Sequence, residues 1–106
     1  MGKYIQISTT TETRQYAEAI ASALVEQKLA GCVQIIGPIV STYRWNSDVE
    51  CEEEWLCSIK TSKELLTDVE KTIKLIHSYD MPEIIAVPIV GGSSDYLTWL
   101  GEQCSK

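Results

Sequence analysis

Cys32-Val33-Gln34-Ile35-Ile36-Gly37-Pro38-Ile39-Val40-Ser41-Thr42-Tyr43-Arg44-Trp45 is followed by Asn46-Ser47-Asp48, then by Val49-Glu50-Cys51-Glu52-Glu53-Glu54-Trp55-Leu56-Cys57-Ser58-Ile59-Lys60. β-Branched and aromatic residues dominate both arms, and turn formers join them. The stretch predicts a hairpin of two long strands, 32–45 and 49–60. Gly37-Pro38 interrupts the first arm. Glu50, Glu52 and Glu54 recur at the strand period, so one side of the second arm is strongly acidic.

Helical patterns flank the hairpin on both sides. Upstream, Ala17, Ile20, Ala21, Leu24, Val25 and Leu29 recur at helical spacing and predict a helix over about 12–28. Thr9 with Glu12 fits a capping box at its start, and Gly31 fits its end. Before it, Tyr4, Ile5 and Ile7 predict a strand over 3–9. Downstream, Thr61 with Glu64 fits a second capping box, and Leu66, Val69, Ile73 and Ile76 form an apolar stripe. A strand over 84–90 follows. A short helix capped by Ser93, Ser94 or Asp95 then presents Tyr96, Leu97, Trp99 and Leu100. The order β-α-β-β-α-β plus a short C-terminal helix is α+β. It predicts a ferredoxin-like sandwich with an antiparallel sheet, two helices on one face, and one domain over 1–106. Pro88 lacks a donor N–H, so the last strand should lie at an edge or carry a bulge, and the last strand of a ferredoxin-like sheet is an edge.

Lengths carry a further expectation. Each hairpin arm would extend roughly 40 Å. The first helix would span about 26 Å. The far end of the hairpin, with Tyr43, Trp45 and Trp55, therefore overhangs its helices, and cover from neighbouring subunits predicts a closed homo-oligomer.

The chain has 106 residues and a formal charge of −6. Such an acidic balance lacks the basic footprint of a nucleic-acid or anionic-membrane binder. No apolar run approaches membrane-spanning length. Met1-Gly2 begins no export or lipidation signal, and a cytoplasmic location is expected. Cys32, Cys51, Cys57 and Cys104 form no Cys-x-x-Cys pair, which predicts reduced thiols and no structural zinc. Cys104, near the C-terminus, is expected to be exposed.

His77, the only histidine, opens His77-Ser78-Tyr79-Asp80-Met81-Pro82-Glu83-Ile84-Ile85-Ala86. Its imidazole can ligate a metal, with Tyr79, Asp80 and Glu83 adding oxygens. The commoner use is a polar residue near a helix C-terminus. Lys60 reads as an anion contact or as the partner of Glu54, and pairing is the commoner use. Tyr43, Trp45 and Tyr79 could line a cleft between subunits, or simply pack there. Candidate ligand-binding residues are thus Tyr43, Trp45, Glu54, Lys60, Tyr79 and Glu83, with His77 as candidate metal ligand. No catalytic set is present. Only Arg14 and Arg44 could clamp a phosphoryl group, and Gly91-Gly92-Ser93 reads as a turn and cap.

Leu24-Val25-Glu26, Leu29-Ala30-Gly31-Cys32-Val33, Tyr43-Arg44-Trp45, Glu54 with Ile59-Lys60-Thr61, the His77–Ala86 segment and Tyr96-Leu97-Thr98-Trp99-Leu100 occur in order. Together they resemble the CutA divalent-cation tolerance family over nearly the whole chain. The resemblance implies a ferredoxin-like fold in a tight homotrimer, PII-like in architecture. It also implies association with copper or another divalent cation, and no catalysis. In some members copper ligation is ascribed to a cysteine ending the first strand and to two adjacent histidines before the tyrosine-proline loop. Here those positions hold Ser8, Ile76 and His77. The hairpin turn carries Asn46-Ser47 where relatives often have a glycine.

Overall fold

The computed structural model describes residues 3–105. The reading of Met1-Gly2 as free of a targeting signal lies outside them. The elements are β1 (Tyr4–Thr11), α1 (Arg14–Glu26), β2 (Cys32–Trp45), β3 (Asp48–Ser62), a 3₁₀ turn (Lys63–Leu65), α2 (Leu66–Ile76), β4 (Ile85–Pro88) and α3 (Ser94–Gln103). The four strands form one antiparallel sheet in the order β2-β3-β1-β4. This is the expected α+β ferredoxin-like arrangement, with β4 at an edge and Pro88 as its last residue.

Strand register divides the sheet into two faces. Ile5, Ile7 and Thr9 of β1 pair with Thr61, Ile59 and Cys57 of β3. All six are buried, and they form the core with Ala17, Ile20 and Leu24 of α1 and Leu65, Val69 and Ile73 around α2. The alternate residues point to the opposite face, away from the core that α1 and α2 cover, because successive side chains in a strand alternate. That open face carries Ile36 of β2 and Ile85 and Val87 of β4, each at least half exposed.

Both expected capping boxes are corrected. β1 continues to Thr11, so Thr9 lies inside the strand, and Thr13 caps α1 by accepting from the Tyr16 N–H at 3.2 Å. Thr61 also stays in its strand and donates to the Leu29 carbonyl at 2.6 Å. α2 starts through a 3₁₀ turn without a side-chain cap. In both places cross-strand pairing overrides the local pattern. Gly31 does not end α1 either. Lys28 takes the left-handed conformation at φ 60, while Gly31 lies beneath Leu100, where a Cβ would stand 2.6 Å from Leu100 Cδ1. Cys104 is buried, not exposed, and its thiol donates to the Leu100 carbonyl.

The hairpin overhangs as expected at Tyr43 and Trp45, but Trp55 does not: it pairs with Thr11 of β1 and packs against the core. β3 pairs with β1 only from Trp55 to Ser62. From Ile39 to Trp45 and Asp48 to Glu54 the two arms pair only with each other. A bulge at Gly37-Pro38, whose peptide bond is cis, shifts the register between Ile36 and Ile39. The molecule is correspondingly elongated, 44 × 25 × 22 Å.

Candidate functional site

The bulge decides which side chains meet. One extra residue in β2 reverses its alternation relative to β3. Ile39, Ser41, Tyr43 and Trp45 thereby come opposite Glu54, Glu52, Glu50 and Asp48, on the open face. The loop between α2 and β4 closes one end. Together they line an open cleft of about 820 Å³ that includes Thr10, Tyr43, Trp45, Glu50, Glu52, Glu54, Tyr79 and Glu83.

Glu54 is 6% exposed, and its Oε2 accepts from the Tyr79 hydroxyl at 2.9 Å. Burial, and then that hydrogen bond and the Glu54 charge, push the Tyr79 phenol well above its ordinary range. Partial desolvation, followed by the charges of Glu52, Glu54 and Glu50, raises the Tyr43 phenol as well. Both phenols stay protonated at neutral pH and can donate. Among the described residues, no lysine or arginine forms an ion pair with Glu50, Glu52, Glu54 or Glu83. The cleft is an aromatic-walled face with uncompensated negative charge.

Five of the six candidate ligand-binding residues meet here: Tyr43, Trp45, Glu54, Tyr79 and Glu83. Lys60 does not. Its ammonium donates to Gln34 Oε1 instead, three residue pairs along the same face from Glu54, so the expected Glu54–Lys60 pairing is corrected. Thr10, Ser41 and Thr42 also line the cleft and were not singled out from sequence. Ser41 follows from strand alternation only once the bulge is known.

His77 stands behind the cleft. Its backbone N–H ends α2 by donating to the Ile73 carbonyl. Its Nε2 lies 2.7 Å from the Thr10 carbonyl oxygen, and its Nδ1 is 3.1 Å from the Tyr79 amide nitrogen. A carbonyl only accepts and an amide N–H only donates. The ring is therefore the neutral tautomer protonated at Nε2.

The chain matches the CutA1 divalent ion tolerance protein family over residues 5–103. This chain belongs to that family. The divalent-cation tolerance protein CutA of Thermus thermophilus is 40% identical over 93 residues, 88% of this chain and 90% of that protein. A solved structure of the Thermus protein superposes with a TM-score of 0.94 at 36% identity, covering 96% and 99% of the two chains. The CutA1 structure from Oryza sativa gives 0.95 at 36% identity, covering 98% and 95%. The chloroplastic CutA of Arabidopsis thaliana is 41% identical over 91% of this chain, which spans only 53% of that relative. The family description and the Thermus names speak of tolerance to divalent cations and of no catalysed reaction.

The copper site that the CutA resemblance implies does not fit these residues. Both His77 nitrogens are committed within the fold. Ser8 sits in β1 opposite Ile85, and Ile76 offers no donor atom. Among the described residues, no group of three His, Cys, Asp or Glu converges on a point that could hold a metal ion. Cys57 is no substitute, since burial pushes its thiol up to about 11.

Proposed function

We propose that this CutA1-family chain serves divalent-cation tolerance as a non-catalytic binding protein. It works as a PII-like homotrimer in the cytoplasm, and its ligand seat is the open-face cleft. The observation that carries this reading is the set of cleft carboxylates, without a cationic partner among the described residues, between Tyr43, Trp45 and Tyr79. Uncompensated carboxylates with low-dielectric walls concentrate cations. Aromatic faces favour an organic cation over a bare one. The favoured ligand is therefore cationic, and copper is assigned no seat at His77.

The trimer rests on two features of the fold. The outer half of the hairpin is a two-stranded ribbon, which is marginal alone in water. The sheet also leaves Ile36, Ile85 and Val87 half exposed on its open face. Both would be covered by neighbouring copies, and the cleft would then lie between subunits.

Calorimetric titration of wild-type, Glu54→Gln and Tyr79→Phe protein with a quaternary ammonium ion, copper, zinc, magnesium and nucleotides tests the ligand reading. Binding of a cation that weakens about tenfold or more in Glu54→Gln supports it. Nucleotide binding, or cation binding indifferent to both substitutions, refutes it. Light scattering at low micromolar concentration should give three times the chain mass, and a stable monomer would defeat the trimer.

A further inference from the structure

β4 pairs with β1 from Ile5 to Ser8 and no further. Among the described residues, no strand lies beside that side of β1 beyond Ser8, although Thr10 is buried. A buried carbonyl without a partner is costly. The Thr10 carbonyl is instead taken by His77 Nε2, from the loop that leads into β4. The other ring nitrogen accepts the Tyr79 N–H two residues on, closing a turn like that of an Asx residue. The two rings stand 4.8 Å apart. Tyr79 then reaches the buried Glu54 with its hydroxyl.

From this chain of contacts we infer that His77 is a positioning residue. It fastens the 77–83 loop to the edge of β1 and fixes Tyr79 against Glu54, and it is not a metal ligand. One imidazole makes both bonds because its nitrogens face opposite directions and only the Nε2–H tautomer suits both neighbours. A metal ion could take a nitrogen lone pair only by displacing the Tyr79 amide from Nδ1 or the proton from Nε2. Either event would release an anchor of the loop. The inference does not depend on whether the cleft takes a ligand.

Because there is only one histidine, the test can be direct. Nitrogen-15 NMR of wild-type protein near neutral pH should show one imidazole, protonated at Nε2 and unprotonated at Nδ1. One equivalent of copper(II) should leave that signal sharp. In His77→Ala, exchange of the Tyr79 amide should quicken about tenfold or more. His77→Asn can remake the turn to Tyr79 but cannot reach Thr10, so it should recover most of that protection. His77→Gln, which can reach Thr10 but not close the turn, should not. An Nδ1–H tautomer, selective broadening of the imidazole by copper(II), or unchanged Tyr79 exchange in His77→Ala would each overturn the assignment. The wild-type spectra decide the tautomer and the copper question even if a variant folds poorly.

Discussion

Asn46 and Ser47 form the two-residue turn between β2 and β3, both at positive φ, 50 and 70. Such hairpin turns suit the twist of the flanking strands. Asparagine tolerates this conformation, but serine carries a Cβ that crowds it. Ser47→Gly should therefore raise stability by about 1 kcal/mol, read as a higher denaturant midpoint with an unchanged slope. Thr9 poses the opposite problem. Its hydroxyl is buried on the core face without a hydrogen-bond partner among the described residues. Thr9→Val keeps the shape and removes the unsatisfied group, so it should stabilise by about 1 kcal/mol. If the midpoint fell instead, Thr9 must have a partner. At this scale the sequence misleads in an instructive way. Thr9 matches a helix-capping pattern with Glu12, yet pairing with Cys57 keeps it in β1, and no local motif reports a partner nearly fifty residues away.

Elements were the most legible level. The hairpin, the two helical stripes and the order of strands follow from periodicity, because each apolar repeat must face one core. The edge position of β4 follows from the ferredoxin-like strand order, and Pro88 agrees with it. The site was legible in its residue types but not in its assembly. Tyr43, Trp45 and Glu54 share a face only because Gly37-Pro38 inserts a bulge, and a one-residue shift reverses a strand's alternation. The role of His77 was hidden for the same reason, since its acceptor, Thr10, lies 67 positions away. The bulge also has a packing requirement. A Cβ on Gly37 would lie 2.5 Å from Trp55 Cδ1, so the indole covers bare backbone. Gly37→Ala should cost about 1–3 kcal/mol through overpacking. Thermal denaturation should show the loss, and near-ultraviolet circular dichroism should show a changed Trp55 environment. A variant as stable as wild type would mean that the indole moves aside freely.

For the whole molecule, the two best-defined titrations tie stability to alkaline pH. Cys57 is fully buried in the core, and its thiol rises from 9.0 to about 11 on folding. Tyr79 is displaced upward from 10.0 by burial and by its bond to Glu54. In both cases the folded state holds the proton more tightly than the unfolded chain. Each contribution is thus complete below the unfolded value and declines as pH rises past it. For Cys57 the loss runs from pH 9 to about pH 11 and amounts to about 2–3 kcal/mol. For Tyr79 it begins near pH 10 and continues above. Protein concentration must be held constant, because the stability of the proposed trimer would depend on it. Urea midpoints of wild type should therefore fall progressively above pH 9. Cys57→Ala will be weaker at neutral pH, because it leaves a cavity, but its midpoint should be flatter between pH 9 and pH 10. Tyr79→Phe should match the wild-type slope there and become flatter only above pH 10. The two variants separate the core from the cleft: a Cys57→Ala profile as steep as wild type would show that the thiol ionises in place, and a Tyr79→Phe profile as steep as wild type above pH 10 would show that its hydroxyl is not held by Glu54.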